Sequence, residues 1–174
     1  DSFSQLATAS ERSKAQGGSR TIRIAHLDTG YDANHSALSE TKIIHQLERN
    51  FVDEDRPNDA RDYGIDGVLK SPGHGTGTLS ILAGGSFDFR QSGYAFKGQL
   101  GGAPDAEIVP VRVGNSVVQL TTKDIARGIN YAAELCGNNA TRIDVISMSM
   151  GGVASAAWAD AVNKAYEAGI IFVA

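Results

Sequence analysis

Four short apolar runs, rich in β-branched residues, are separated along this chain by two segments of helical period. The first run, Thr21–Asp28, carries Ile22, Ile24 and Leu27 and stops at the turn residue Gly30, which predicts a strand presenting Asp28 at its C-terminal tip. Glu107–Val113, Ile143–Met150 and Ile170–Ala174 read as further strands. Between them, Thr121–Cys136 places Ile125, Ile129, Ala132, Ala133 and Cys136 on one helical face, with Thr121 and Asp124 as a capping pair. Ser155–Ala168 repeats the pattern with Trp158, Ala161, Val162 and Ala165, and Gly169 closes it.

Weaker patterns fill the rest. The N-terminal segment 1–18 is polar, with a surface helix expected over Ser4–Ala15 and a stop at Gly17-Gly18. Lys42–Val52 holds a second, more exposed strand, and 53–72 is aperiodic and reads as one long acidic surface loop. Gly73–Gly84 begins with small residues and continues through Leu79, Ile81 and Leu82, so it predicts a loop entering a buried helix with His74 at its start. Ser86–Gly98 shows no clear period and reads as loop. Pro110 marks an irregular or edge-like place in its strand. Buried strands alternating with helices predict a three-layer α/β/α domain around a mostly parallel twisted sheet. Right-handed crossovers then bring all strand carboxyl ends to one rim, where Asp28 and the residues after Met150 meet.

Length makes 1–174 one domain, though short for a complete α/β enzyme. Sixteen basic residues against twenty acidic ones, without a basic cluster, leave no footprint for nucleic acid. No apolar run reaches the length of a membrane span, and Asp1 opens no signal-peptide pattern. One cysteine, Cys136, excludes an internal disulfide, and its place on the helical stripe reads as a small core hydrophobe.

The chemistry gathers at two places. An aspartate at a strand end and a histidine at a helix start suit an acid–base pair in which Asp28 fixes the tautomer of His74 and leaves Nε2 to accept a proton. Other readings fare worse. Gly73-His74-Gly75-Thr76-Gly77 lacks the third glycine and the leading strand of a dinucleotide fingerprint. His26, Asp28, His35 and His74 include no helical pair with metal-ligand spacing. The carboxylates of 53–66 invite calcium, but Pro57 and a missing glycine break the loop pattern, so a solvated acidic loop is expected.

Taken in order, Ala25-His26-Leu27-Asp28-Thr29-Gly30, Gly73-His74-Gly75-Thr76, Gly102-Ala103-Pro104 and Ile146-Ser147-Met148-Ser149-Met150-Gly151-Gly152 resemble successive landmarks of the subtilases, the subtilisin-like serine proteases. The resemblance runs from about Thr21 to Ala174. It implies endopeptidase chemistry through an Asp-His-Ser triad, with Asp28 as orienting carboxylate and His74 as general base. It implies an extended peptide substrate lying against Ser149, Met150 and Gly151, with Val118, Gln119 and Leu120 as the opposite wall. It favours a secreted or extracytoplasmic protein, no cofactor beyond a structural calcium ion, and no nucleic-acid or membrane partner.

The departures are specific. His26 and Tyr31 stand where the family is usually aliphatic, and Thr78-Leu79 replaces an aliphatic-then-small pair. His35-Ser36-Ala37 lacks the aspartate that ligates calcium in many members. Neither a Gly-Thr-Ser-Met-Ala type motif nor the oxyanion asparagine of the family occurs. The resemblance therefore implies a subtilisin-like domain incomplete at its C-terminal side, whose partner is the missing part of the domain. The other expectation is a peptide-binding pseudoprotease or scaffold.

Overall fold

The computed structural model describes residues 5–15, 20–64, 70–119 and 122–174. Its centre is a parallel sheet in the order β10 (Ile171–Val173), β8 (Val145–Met148), β1 (Arg23–Asp28), β6 (Glu107–Arg112) and β2 (Lys42–Ile43), with β3 (Arg49–Asn50) also paired to β6. Helix α2 (His74–Ala83) covers one face, and α3 (Lys123–Leu135) and α4 (Ala156–Glu167) cover the other. This is the α/β architecture that the strand and helix alternation predicted. Helix α1 (Leu6–Ala15) carries exposed side chains at Thr8, Ala9, Glu11 and Arg12, as a surface helix should. The stop expected at Gly17-Gly18 lies outside the described residues.

Strand β1 shows how the layers form. Its side chains alternate: Ala25 and Leu27 join the core beneath α3 and α4, while Ile24 joins the one beneath α2. The two-residue period therefore sends His26 and Asp28 towards α2 as well. Every residue from Ile24 to Asp28 is buried, as befits a strand covered on both faces. On the far side, Gly128 lets α3 lie close to the sheet, since a Cβ there would come within 2.5 Å of Val113 Cγ1.

Pro110 does not mark an edge. Strand β6 lies inside the sheet, with β1 on one side and β2 and β3 on the other. Residues 107, 109 and 111 direct their backbone groups towards β1, and 108, 110 and 112 direct theirs the other way; Ile44 N and Phe51 N donate to the carbonyls of Ile108 and Arg112. The register leaves Pro110 opposite the break between Ile43 and Arg49, where a 3₁₀ turn at His45–Leu47 interrupts the neighbouring strand. Its missing N–H thus faces a place where no ladder bond is made. The Lys42–Val52 strand is accordingly two short ones.

One further expectation is corrected. Ser86–Gly98 is an antiparallel hairpin, β4 (Ser86–Gln91) with β5 (Tyr94–Gln99), turned by Ser92-Gly93 with Gly93 at φ 82°. Phe87 and Phe89 on one strand share a face with Tyr94 and Phe96 on the other, and Phe89 pairs directly with Phe96. The sequence predicts a capping pair at Thr121 and Asp124 for the start of α3. Thr121 lies outside the described residues, and Thr122 makes no capping bond to the helix. Its hydroxyl meets Ser155 Oγ at 2.6 Å, and Ser155 caps α4 by accepting from Trp158 N. Cys136, half-buried at the end of α3, contacts the carbonyl of Ile143 at 3.3 Å.

Leu27→Ala, opening a cavity between β1 and α3, should cost about 2–5 kcal/mol. Tyr166→Ala, at a side chain 79% exposed on α4, should change stability by less than about 0.5 kcal/mol. Chemical denaturation of both variants checks the contrast.

Candidate active site

Asp28 ends β1 with only 1% of its surface exposed. The turn after it is built on Gly30, whose φ of 105° suits glycine and whose Cβ would lie 2.7 Å from the carbonyl oxygen of Ala60. Helix α2 arrives from Gly73, left-handed at φ 77°, with Gly73 N donating to Asp62 Oδ2. Its first turn then docks on the Asp28–Asp32 turn: Gly75 N donates to Thr29 Oγ1 at 3.1 Å, and Asp32 N donates to Thr76 Oγ1 at 2.9 Å. The approach depends on Gly75, because a Cβ there would fall 2.0 Å from Gly30 O.

This docking brings His74 onto Asp28, with His74 Nδ1 and Asp28 Oδ1 2.8 Å apart. A carboxylate only accepts, so Nδ1 donates and Nε2 presents its lone pair. His74 is partly exposed, and Nε2 makes no hydrogen bond among the described residues. Thr29 N donates to the same Oδ1 at 2.7 Å, and Thr78 Oγ1 donates to Oδ2 at 2.9 Å. Asp28 is thus held by an imidazole, a backbone amide and a hydroxyl. The arrangement can orient a base and stabilise the imidazolium it becomes.

A second imidazole adjoins the pair. His26, 3% exposed, has Nε2 at 2.9 Å from Thr78 Oγ1 and 3.8 Å from Asp28 Oδ2. Burial pulls its pKa below the ordinary 6.5, with the Asp28 charge opposing and His74 reinforcing. Sequence reasoning noted His26 and Thr78 only as departures from a pattern. The signal lay in their spacing, because His26 precedes Asp28 by two on a strand and Thr78 follows His74 by four on a helix, which puts all four on facing surfaces.

The acidic loop is not simply solvated. Asp53 pairs with Arg112, which is 1% exposed, and with Arg56. Asp59 takes Arg61 and the Tyr63 hydroxyl, which hold its carboxyl far below the usual range. Those carboxylates are already neutralised by guanidinium groups. Among the described residues no group of three or more His, Cys, Asp and Glu side chains is placed to hold a metal. His35 caps the 3₁₀ turn Ser36–Leu38 through Nδ1. Tyr31 donates to the buried Glu48 at 2.6 Å, and burial with that carboxylate raises its phenol pKa.

The described residues among those expected to bind substrate lie on the segments that follow β6 and β8. Val118 and Gln119 form β7 (Val118–Gln119), which pairs parallel with β9 (Gly151–Gly152), and Gly151 N donates to Val117 O at 3.0 Å. Ser149 and Met150 lead into β9 from β8. Leu120 lies outside the described residues. A cavity of about 560 Å³ between β3 and α3, lined by Arg49, Phe51, Arg127 and Tyr131, shares no residue with the Asp28–His74 pair.

Comparison with known proteins gives the family and the fold. The model of the Subtilase family matches residues 19–174, and the chain belongs to that family. It is 32% identical to subtilisin DY of Bacillus licheniformis over 88% of its own length and 46% of that protein's. Thermitase of Thermoactinomyces vulgaris is 33% identical, with 87% and 46% covered. An intracellular serine protease of Paenibacillus polymyxa is 33% identical, with 76% and 34% covered. A solved protease structure from Pseudoalteromonas arctica superposes with a TM-score of 0.61 at 28% identity, over 87% of this chain and 48% of that one. A psychrophilic protease gives 0.60 at 30% identity, over 87% and 44%. The chain therefore spans less than half the length of these relatives.

Gly75→Ala should destabilise the fold by about 1–3 kcal/mol, because the added methyl meets backbone that has little room to move; a melting curve measures it. Below pH 6.5 the unfolded chain binds a proton at His26 that the folded chain resists. That contribution is therefore complete above 6.5 and is lost as the pH falls towards the depressed folded value. The denaturation midpoint should drop more steeply between about pH 7 and about pH 5.5 in the natural protein than in the double variant His26→Leu, Thr78→Val.

Proposed function

We propose that this chain supplies the aspartate and histidine of a subtilisin-like serine endopeptidase, and that the serine and the oxyanion donor come from the rest of the catalytic domain. The observation that carries this reading is the 2.8 Å contact of His74 Nδ1 with Asp28, made by a histidine whose Nε2 remains available. In the reaction, Nε2 takes the proton of the serine hydroxyl as its oxygen bonds to the scissile carbonyl carbon. The protonated imidazole then returns that proton to the leaving amine as the C–N bond breaks. Asp28 keeps Nδ1 protonated throughout and offsets the positive charge.

The substrate backbone would run along Ser149, Met150 and Gly151 on one side and Val118, Gln119 and Leu120 on the other. Since β7 and β9 are hydrogen-bonded to each other, a peptide strand enters between them only when that two-residue ladder parts. Their small extent keeps the cost of parting low. Met150, packed at the edge of the core beneath α4, would line a pocket tolerant of large or apolar side chains. The remainder of the domain would also cover the edge strand β10, where Ile171 and Val173 are exposed. No helix among the described residues is long and apolar enough to cross a membrane. An extracytoplasmic location is the reading we favour by analogy with relatives named as cell wall-associated and extracellular proteases.

In the protein carrying the complete domain, His74→Ala should reduce kcat by about 10⁶-fold and abolish fluorophosphonate labelling while the circular dichroism spectrum is unchanged. The 174-residue chain alone should give neither turnover nor label. Unlabelled but peptide-binding full-length protein would replace the enzyme reading by that of a pseudoprotease.

A further inference from the structure

The triad logic uses one oxygen of Asp28 for His74 and leaves the other to be explained. That oxygen, Oδ2, accepts from Thr78 Oγ1 at 2.9 Å, and Thr78 Oγ1 in turn lies 2.9 Å from His26 Nε2. A threonine hydroxyl has one proton. Its acceptors in reach are Asp28 Oδ2 and, at 3.3 and 3.2 Å, the carbonyls of His74 and Gly75, so the proton goes to the shortest and charge-assisted bond. The hydroxyl oxygen must then receive from His26, which fixes His26 as the Nε2–H tautomer.

We propose that His26 and Thr78 form a second hydrogen-bonded arm on Asp28, which holds the carboxylate in the plane and rotamer that His74 requires. His26 is thus a positioning residue that acts through Thr78, and neither side chain touches the reacting atoms. Geometry supports the role over that of filler. An apolar pair would pack the same space between β1 and α2 without burying an imidazole at 3% exposure. Pro110 and Ser147, the sheet neighbours of His26 in register, bring no ionisable side chain. The charged or ionisable groups beside it are Asp28 and His74, and a neutral His26 is the form that donates here without adding a second positive charge beside His74. The arm also couples the two ends of the site, because Thr78 belongs to the same helix as His74, one turn on. A shift of α2 along its axis would strain both bonds to Asp28 together.

The proposal rests on the protease reading for its kinetic arm only. Three forms of the protein with the complete catalytic domain decide it: natural, His26→Gln, whose amide can donate in place of Nε2–H, and the apolar double variant His26→Leu, Thr78→Val. In the natural protein, nitrogen-15 NMR should show His26 neutral and protonated at Nε2 from about pH 6 to 8. The double variant should move the low-field Nδ1–H resonance of His74, alter the pH at which His74 titrates, and lower kcat by about 10 to 100-fold with KM unchanged. His26→Gln should return kcat to within a few-fold of natural. A His26 protonated at Nδ1 instead, or a folded double variant with the His74 resonance, titration and kcat all unaltered, overturns the arm. Absence of turnover in the natural protein defeats the protease reading and leaves the tautomer and the His74 resonance to decide the arm by themselves.

Discussion

The site depends on one close approach of backbone to backbone, the first turn of α2 against the turn that follows β1. Two conditions make it. Gly75 offers no Cβ where Gly30 O stands 2.0 Å from the ideal position, and Thr29 Oγ1 accepts one of the N–H groups that the start of a helix leaves without an intrahelical partner. The contact between His74 and Asp28 then follows, since each side chain is carried by an element whose place is already set. Asp28 sits in an interior strand and His74 in a helix packed on it, so neither relies on a loop for its orientation.

Charge is handled differently in the two halves of the rim. At Asp28 the negative carboxylate is solvated by hydrogen-bond donors, namely His74, Thr29 N and Thr78. Twenty-five residues later in the chain the acidic loop begins, and its Asp53 and Asp59 are paired with guanidinium groups. Arg112 at the end of β6 reaches Asp53, the carbonyl of Arg61 and Asn115. It thus fastens a long irregular segment to the same strand end that lies beside Asp28 in register. Two of the loop's carboxylates, Asp53 and Asp59, are thereby paired with arginine.

How much of this the sequence showed depends on the kind of signal. Alternation and helical period gave β1, β6, β8, β10, α3 and α4 because burial on two faces or on one stripe writes itself into residue order. The hairpin β4–β5 has a weaker signature: Phe87 and Phe89, then Tyr94 and Phe96, alternate on either side of a Ser92-Gly93 turn. Pro110 misled, because the rule it invokes concerns a ladder bond, and whether a bond was needed there depended on the break between β2 and β3. Thr122 meets Ser155, a residue from the next crossover, a contact that residue order does not announce.

Residue order alone determined the strand and helix sequence, the placing of Asp28 and His74 at element ends, and the family, since these rest on local periodicity and short contiguous motifs. Only the tertiary structure decided that Oδ2 of Asp28 accepts from Thr78, whose hydroxyl meets His26, that β7 pairs directly with β9, and that Arg112 neutralises Asp53. Each of those is a contact between distant segments, and its energy exists only once packing has removed the water that would otherwise satisfy the same polar groups.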